Sequence, residues 1–188
     1  MPGKILKAIK ILFYRIKEQG FYVTTLWFIG RIIPGVTGIP NLKYCRISPE
    51  LYVGSQFSKD GKKVLEIEGI SAVVNMRKEF DDLSKGLWRG KYCYLPTVDD
   101  TAPSLSQLEE GVRFIENEIS AGEKVYIHCG AGVGRAPTMA AAYLIDQGLS
   151  LPEAIELIKR TRPFIHIMPE QLMQLEKYEA MIKERRKS

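Results

Sequence analysis

The chain has 188 residues, 45% hydrophobic and 26% charged, the make-up of a soluble globular protein: one ordinary domain with a short extension, able to bury a core without staples. Cys45, Cys93 and Cys129 have neither disulfide nor metal spacing, and His128 and His166 lie too far apart for a metal site. The reading is therefore no metal, and free thiols in a reducing compartment, cytoplasmic or organellar. Residues 1–35 hold Lys4, Lys7, Lys10, Arg15, Lys17 and Arg31 against Glu18 alone and so carry the whole net charge of +5, which points to an anionic surface partner for the extension and away from a nucleic-acid groove across the fold.

Taken in order, residues 4–17 read as a helix with Ile5, Ile9, Leu12 and Ile16 on one face, ended at Gly20. A second apolar run, 21–33, is closed by Pro34-Gly35. As a helix it would span ~20 Å against a hydrocarbon core of ~30 Å, so it is too short to cross. The preferred reading is a peripheral membrane anchor lying in the interface, with Tyr22, Trp27 and Phe28 as interfacial side chains; the alternative is a pair of ordinary helices packed on the body of the protein. The turn-rich stretch 35–41 marks a boundary, giving an extension over 1–40 and a domain over 41–188. In the domain, strands are expected at 43–47, 50–54, 71–76, 91–95 and 124–128. Helices are expected near 60–68, 104–121, 135–147, 151–161 and 169–184. Such alternation specifies an α/β fold, a central mostly parallel twisted sheet flanked by helices.

The strongest chemical signal lies at 125–145: a buried strand, a glycine-rich turn and a helix with Pro137 in its first turn. Gly130, Gly132 and Gly134 let the backbone through Ala131 and Val133 curl so that its N–H groups form a nest for an anion, and the helix N-terminus adds more. Cys129, at the mouth of this nest, sits where an anion is favoured, and thiolate is the nucleophilic form of cysteine. Arg135 closes the loop with a planar fork able to grip two phosphate oxygens. Gly134-Arg135-Ala136 lacks the Gly-Lys-Ser/Thr of a nucleotide loop, and too little chain follows position 130 for a dinucleotide fold.

His128-Cys129, five residues and Arg135, between strand and helix, resemble the signature of the cysteine-based protein tyrosine phosphatase superfamily in its dual-specificity branch, over about residues 43–180. The resemblance implies that fold. It also implies a phosphocysteine intermediate on Cys129, phosphate held by residues 130–135, His128 as organiser of the loop, and no cofactor. Asp-x-Thr-Ala-Pro-Ser at 99–104 places Asp99 as the general acid, with Asp100 as fallback. Helix capping by Asp100 and Ser104 is the competing reading. One departure is plain: the family usually has Ser or Thr after the arginine, and Ala136 here implies slower breakdown of the phosphocysteine. The family's glucan phosphatases share Arg-Ala-Pro, but this chain has no room for a carbohydrate-binding domain.

Arg77, Lys78 and Glu79 after the 71–76 strand read equally as cleft lining or as a solvated charged loop, and His166 reads as a packed histidine. Within the family, residues 73–80, 97–101, 139–145 and 150–172 are most similar to the mitochondrial-type phosphatidylglycerophosphate phosphatases. This implies a phosphorylated lipid as partner at an anionic membrane surface. A protein phosphatase acting on phosphotyrosine, phosphoserine or phosphothreonine is the alternative. A phosphate-binding pseudophosphatase is the alternative from another class.

Overall fold

The computed structural model describes residues 13, 16, 17, 20–26 and 28–187. The expected helix over 4–17 lies outside the described residues except for Phe13, Ile16 and Lys17, and Trp27 lies outside them too.

Residues 20–26 are helical, Phe28–Ile32 forms a wide π-helical turn, and helix α1 (Ile33–Thr37) follows. The run does not close at Pro34-Gly35. Pro34 sits in the first turn of α1, where its missing N–H does least harm and the wider turn before it absorbs the change of pitch. The stop comes at Gly38, in the left-handed region at φ +66°, whose N–H bonds the Pro34 carbonyl at 2.7 Å.

Four strands, β1 (Leu51–Ser55), β2 (Ile70–Arg77), β3 (Lys91–Thr97) and β4 (Lys124–Cys129), form one sheet in the order β1-β4-β2-β3, every pair parallel. The expected strand at 43–47 is not one. Residues 42–44 make a 3-10 turn, and Arg46 makes only an isolated antiparallel bridge to Tyr52. Its alternation, with Cys45 and Ile47 buried, marks chain crossing the end of the core. The other strands and all five domain helices fall within a few residues of expectation: α2 (Lys59–Ile67), α3 (Leu105–Ser120), α4 (Arg135–Asp146), α5 (Leu151–Thr161) and α6 (Pro169–Lys187).

The period of two in the strands divides the sheet into two faces. Leu51, Val53, Val74, Met76, Val125 and Ile127 face the larger core under α3, α4 and α6. Tyr52, Val73 and Tyr126 face a smaller core with Phe57, Leu65 and Trp88 beside α2. Helix α4 lies at the centre, with ten of its twelve residues buried, and its run of alanines lets it approach the strands closely. All four strands end at one edge, where the loops after β2, β3 and β4 converge on the N-terminus of α4, the usual place for a site in an open α/β sheet.

Candidate active site

Strand β4 delivers Cys129 to that edge, opposite Ser55 of β1, and α4 begins six residues later at Arg135. In between, the loop curls over itself. Gly132 takes φ +66°, and a side chain there would meet the Gly54 carbonyl at 2.4 Å, so both conformation and space require glycine. The Gly132 N–H donates to Cys129 Sγ at 3.3 Å. Cys129 is buried at the floor of a cleft of about 250 Å³ walled by Ala131, Val133, Gly134, Arg135, Asp99 and Asp100. Of the predicted site residues, the structure therefore gathers Cys129, the loop, Arg135 and both aspartates in one place.

Arg135 is 1% exposed and held from three sides. Its Nη1 donates to the Thr97 carbonyl at 2.8 Å and to Glu79 Oε2 at 2.9 Å, and Nη2 donates to Glu79 Oε1 at 3.0 Å. Nη2 also lies 2.8 Å from Asp99 Oδ1, so a bound phosphate would compete with Asp99 for this nitrogen. Burial pulls the guanidinium's pKa down, and Glu79, Cys129 and Asp99 more than offset it. Residues 77–79 do not wall the cleft; Glu79 and Arg77 stand behind Arg135 and brace it instead. Arg77 Nε donates to Glu79 Oε1 at 2.9 Å and its Nη1 to Gln56 Oε1 at 2.8 Å, while Lys78 is exposed.

Asp99 and Asp100 sit on a tight turn whose closing bond runs from the Thr101 N–H to the Val98 carbonyl at 3.3 Å. Asp100 takes φ +62° at the third position, a conformation that aspartate tolerates better than most residues, and Asp99 occupies the corner before it. Capping of α3 falls to Ser104. Its hydroxyl accepts from the Gln107 N–H, and Gln107 returns the bond to the Ser104 N–H. Asp100 thus takes no part in the cap.

Beneath the loop, His128 Nε2 lies 2.7 Å from Asp82 Oδ2, with both side chains at 0% exposure. Asp82 Oδ1 accepts from Gln56 Nε2 at 2.7 Å, so one chain of polar contacts runs from His128 through Asp82, Gln56, Arg77 and Glu79 to Arg135.

Two residues in the cleft differ from the sequence reading. His166 is not packed. It is exposed and lines the cleft, because its backbone N–H is tied to the Val133 carbonyl at 2.8 Å and the chain there has no helix or strand to bury it. Gln171, which no motif marked, is fully buried at the start of α6. Its Oε1 accepts from the Met168 N–H at 2.9 Å and its Nε2 donates to the Thr101 carbonyl at 2.9 Å, bracing the turn that carries Asp99. The one hint in the sequence is spacing, since Gln171 begins the row Gln171, Leu175, Tyr178 and Ile182, which the structure buries.

A family model described as dual specificity phosphatase, catalytic domain, matches residues 51–181. The human phosphatidylglycerophosphatase and protein-tyrosine phosphatase 1 is 34% identical over 149 residues, covering 74% of this chain and 74% of that protein. Human dual specificity protein phosphatase 1 is 32% identical over 121 residues, which cover 63% of this chain but 32% of that protein. A crystal structure of PTPMT1 in complex with PI(5)P superposes with a TM-score of 0.68 at 31% identity, covering 74% of this chain and 96% of that one.

Proposed function

The chain belongs to the dual-specificity phosphatase family and is a cysteine-dependent phosphatase, and from that premise we propose that it removes phosphate from a phospholipid monoester at an anionic membrane surface. In this reading Cys129 Sγ attacks phosphorus, forming the S–P bond as the P–O bond to the leaving group breaks. Asp99 gives its proton to the departing oxygen. The N–H groups of residues 130–134 and the Arg135 fork hold the three remaining oxygens as charge develops on them. Water then attacks the phosphocysteine, the Asp99 carboxylate takes the water's proton, and inorganic phosphate leaves with Cys129 restored as thiolate. His128, braced by Asp82, and Asp100 support the loop and the acid. The geometry that carries this is the buried Cys129 facing Arg135 and Asp99 across one small cleft.

The lipid part of the proposal draws on two independent supports. A human relative, 34% identical and covered to 74% of its length, is by its name a phosphatidylglycerophosphatase and protein-tyrosine phosphatase, and the basic extension fits an anionic bilayer. Three free thiols are compatible with a reducing compartment. No helix among the described residues is long and apolar enough to cross a membrane, which suits attachment at the surface.

The test is phosphate release from phosphatidylglycerophosphate in anionic vesicles beside release from a phosphotyrosine peptide, with Cys129→Ser as the blank. A strong preference for the lipid is expected. A preference for the peptide would replace this reading with that of a protein phosphatase.

A further inference from the structure

The extension has two sides. Of the eleven large hydrophobic residues exposed among the described residues, seven fall between positions 13 and 39, among them Phe21 at 75%, Tyr22 at 73% and Val36 at 82%. Scattered apolar residues on a surface are ordinary, but a concentration of this kind marks a contact surface. Residues 1–35, which overlap this stretch, carry the chain's entire positive excess, so the complementary partner is apolar within and anionic at its face, as an anionic bilayer is.

The other side of the extension reaches the catalytic loop. The backbone of Gly30 sits against the ring of Phe164 so closely that an added Cβ would lie 2.4 Å from Cζ. Phe164 is fully buried and its ring lies 4.8 Å from the guanidinium of Arg162. Arg162, 1% exposed, donates from Nε to the Gly132 carbonyl at 3.1 Å, and the Gly132 N–H in turn donates to Cys129 Sγ. Arg162 Nη2 is buried with no hydrogen-bond partner among the described residues. The guanidinium is therefore positioned by carbonyl oxygens and by the Phe164 ring, and that ring is positioned in part by Gly30.

We propose that the exposed aromatic face of the extension docks on an anionic bilayer, and that docking activates the enzyme by holding Gly30 on Phe164 and thereby Arg162 under the phosphate loop. The inference rests on the membrane reading above and adds to it a consequence for chemistry. A bilayer that binds the seated extension better than the unseated one shifts the population toward the seated form. The rate then rises even for a substrate that never enters the bilayer.

The experiment uses the full chain with p-nitrophenyl phosphate, a soluble substrate, and vesicles of phosphatidylcholine with or without phosphatidylglycerol, with cosedimentation measured in parallel. The expected result is a rise in kcat/KM of roughly 3–10-fold with anionic vesicles and none with neutral ones. Phe164→Leu and, from the other side of the contact, Gly30→Ala should cosediment as the unaltered chain does and lose the rise. Phe21→Ser with Tyr22→Ser should lose both binding and rise while the rate in the absence of vesicles is unchanged. Binding without any rise, or a rise that survives in both Phe164→Leu and Gly30→Ala, overturns the coupling and leaves the membrane reading standing. Absence of cosedimentation overturns both.

Discussion

Glu79 grips Arg135 with both carboxylate oxygens, at 2.9 and 3.0 Å from Nη1 and Nη2, although the Glu79 side chain is 43% exposed. Paired forks of this kind fix the plane of the guanidinium before substrate arrives. Glu79→Gln keeps the size and removes the charge. A charge-assisted bond contributes about 1.5–3 kcal/mol, so kcat/KM should fall by about 10- to 100-fold. The loss should be the same for good and poor leaving groups, because Arg135 holds phosphate rather than the departing oxygen.

The same pair sets an expectation for pH. The bond to Arg135, acting against partial burial, lowers the Glu79 carboxyl from its ordinary 4.5 to about 2. A depressed carboxylate contributes fully above its unfolded value, and the contribution is lost as pH falls toward the folded one, here between about 4.5 and about 2. Any acidic limb of the kcat/KM profile above pH 4.5 therefore belongs to other groups, and Glu79→Gln should lower the profile without displacing that limb. A limb that moves in the variant would contradict the assignment.

Asp99 and Asp100 both line the cleft, and only Asp99 bridges to Arg135. A general acid contributes ~10²–10⁴-fold when the leaving group is a poor one. Asp99→Asn should show that loss on an alkyl phosphate and a much smaller one on an aryl phosphate whose phenol is acidic. Asp100→Asn should cost at most a few-fold on either. Equal losses on both substrates for Asp99→Asn, or a larger loss for Asp100→Asn, would reassign the acid.

Ala136 stands fully buried in the first turn of α4, one residue beyond Arg135. Without a hydroxyl there, the thiolate leaving from phosphocysteine lacks one donor. An aryl phosphate should therefore give a burst of phenol followed by a slower steady state. Ala136→Ser should quicken the slow phase about 5-fold, the kinetic equivalent of one hydrogen bond of about 1 kcal/mol. Single-turnover dephosphorylation that shows no gain would remove this role for position 136.

The buried pair His128–Asp82 bears on stability. Asp82→Ala leaves a fully buried imidazole without its 2.7 Å partner. The cost should be about 1–3 kcal/mol, lowering Tm by ~2–4 °C for each kcal/mol at this chain length. Asp82→Asn, which keeps an acceptor, should cost less. Urea midpoints decide the matter, and equal stability of Asp82→Ala and the unaltered chain would mean that the pair contributes nothing.

Much of this molecule was legible in the amino-acid sequence because the relevant information is local. The cysteine, the glycines and the arginine of residues 129–135 are seven consecutive residues, so strand, nest and helix N-terminus follow from their order alone. The strands at 71–76 and 124–128 announced themselves as short β-branched runs, and the helices as longer amphipathic ones. Local pattern also misled. Cys45 and Ile47 alternate as a strand does, yet alternation reports which side chains are buried, and a strand additionally needs a continuous ladder, whereas residues 43–47 meet β1 only around the single Arg46–Tyr52 bridge.

What tertiary structure alone decided are the contacts made across the chain. Arg135 meets Glu79 at a separation of 56 residues, His128 meets Asp82 at 46, and Gln171 meets Thr101 at 70. Nothing in the spacing of these residues pairs them. They meet because the sheet order β1-β4-β2-β3 sets β4 beside β2, with β3 next, so that the loops leaving all three strands crowd around one helix end. His166 became part of the cleft and the extension came to rest on Phe164 by the same route. The sequence by itself determined which chemistry the chain carries, since covalent order places the nucleophile and the anion nest together. Which carboxylate steadies the arginine, and what the extension touches, depended on strand order, because only packing brings distant parts of a chain within hydrogen-bonding range.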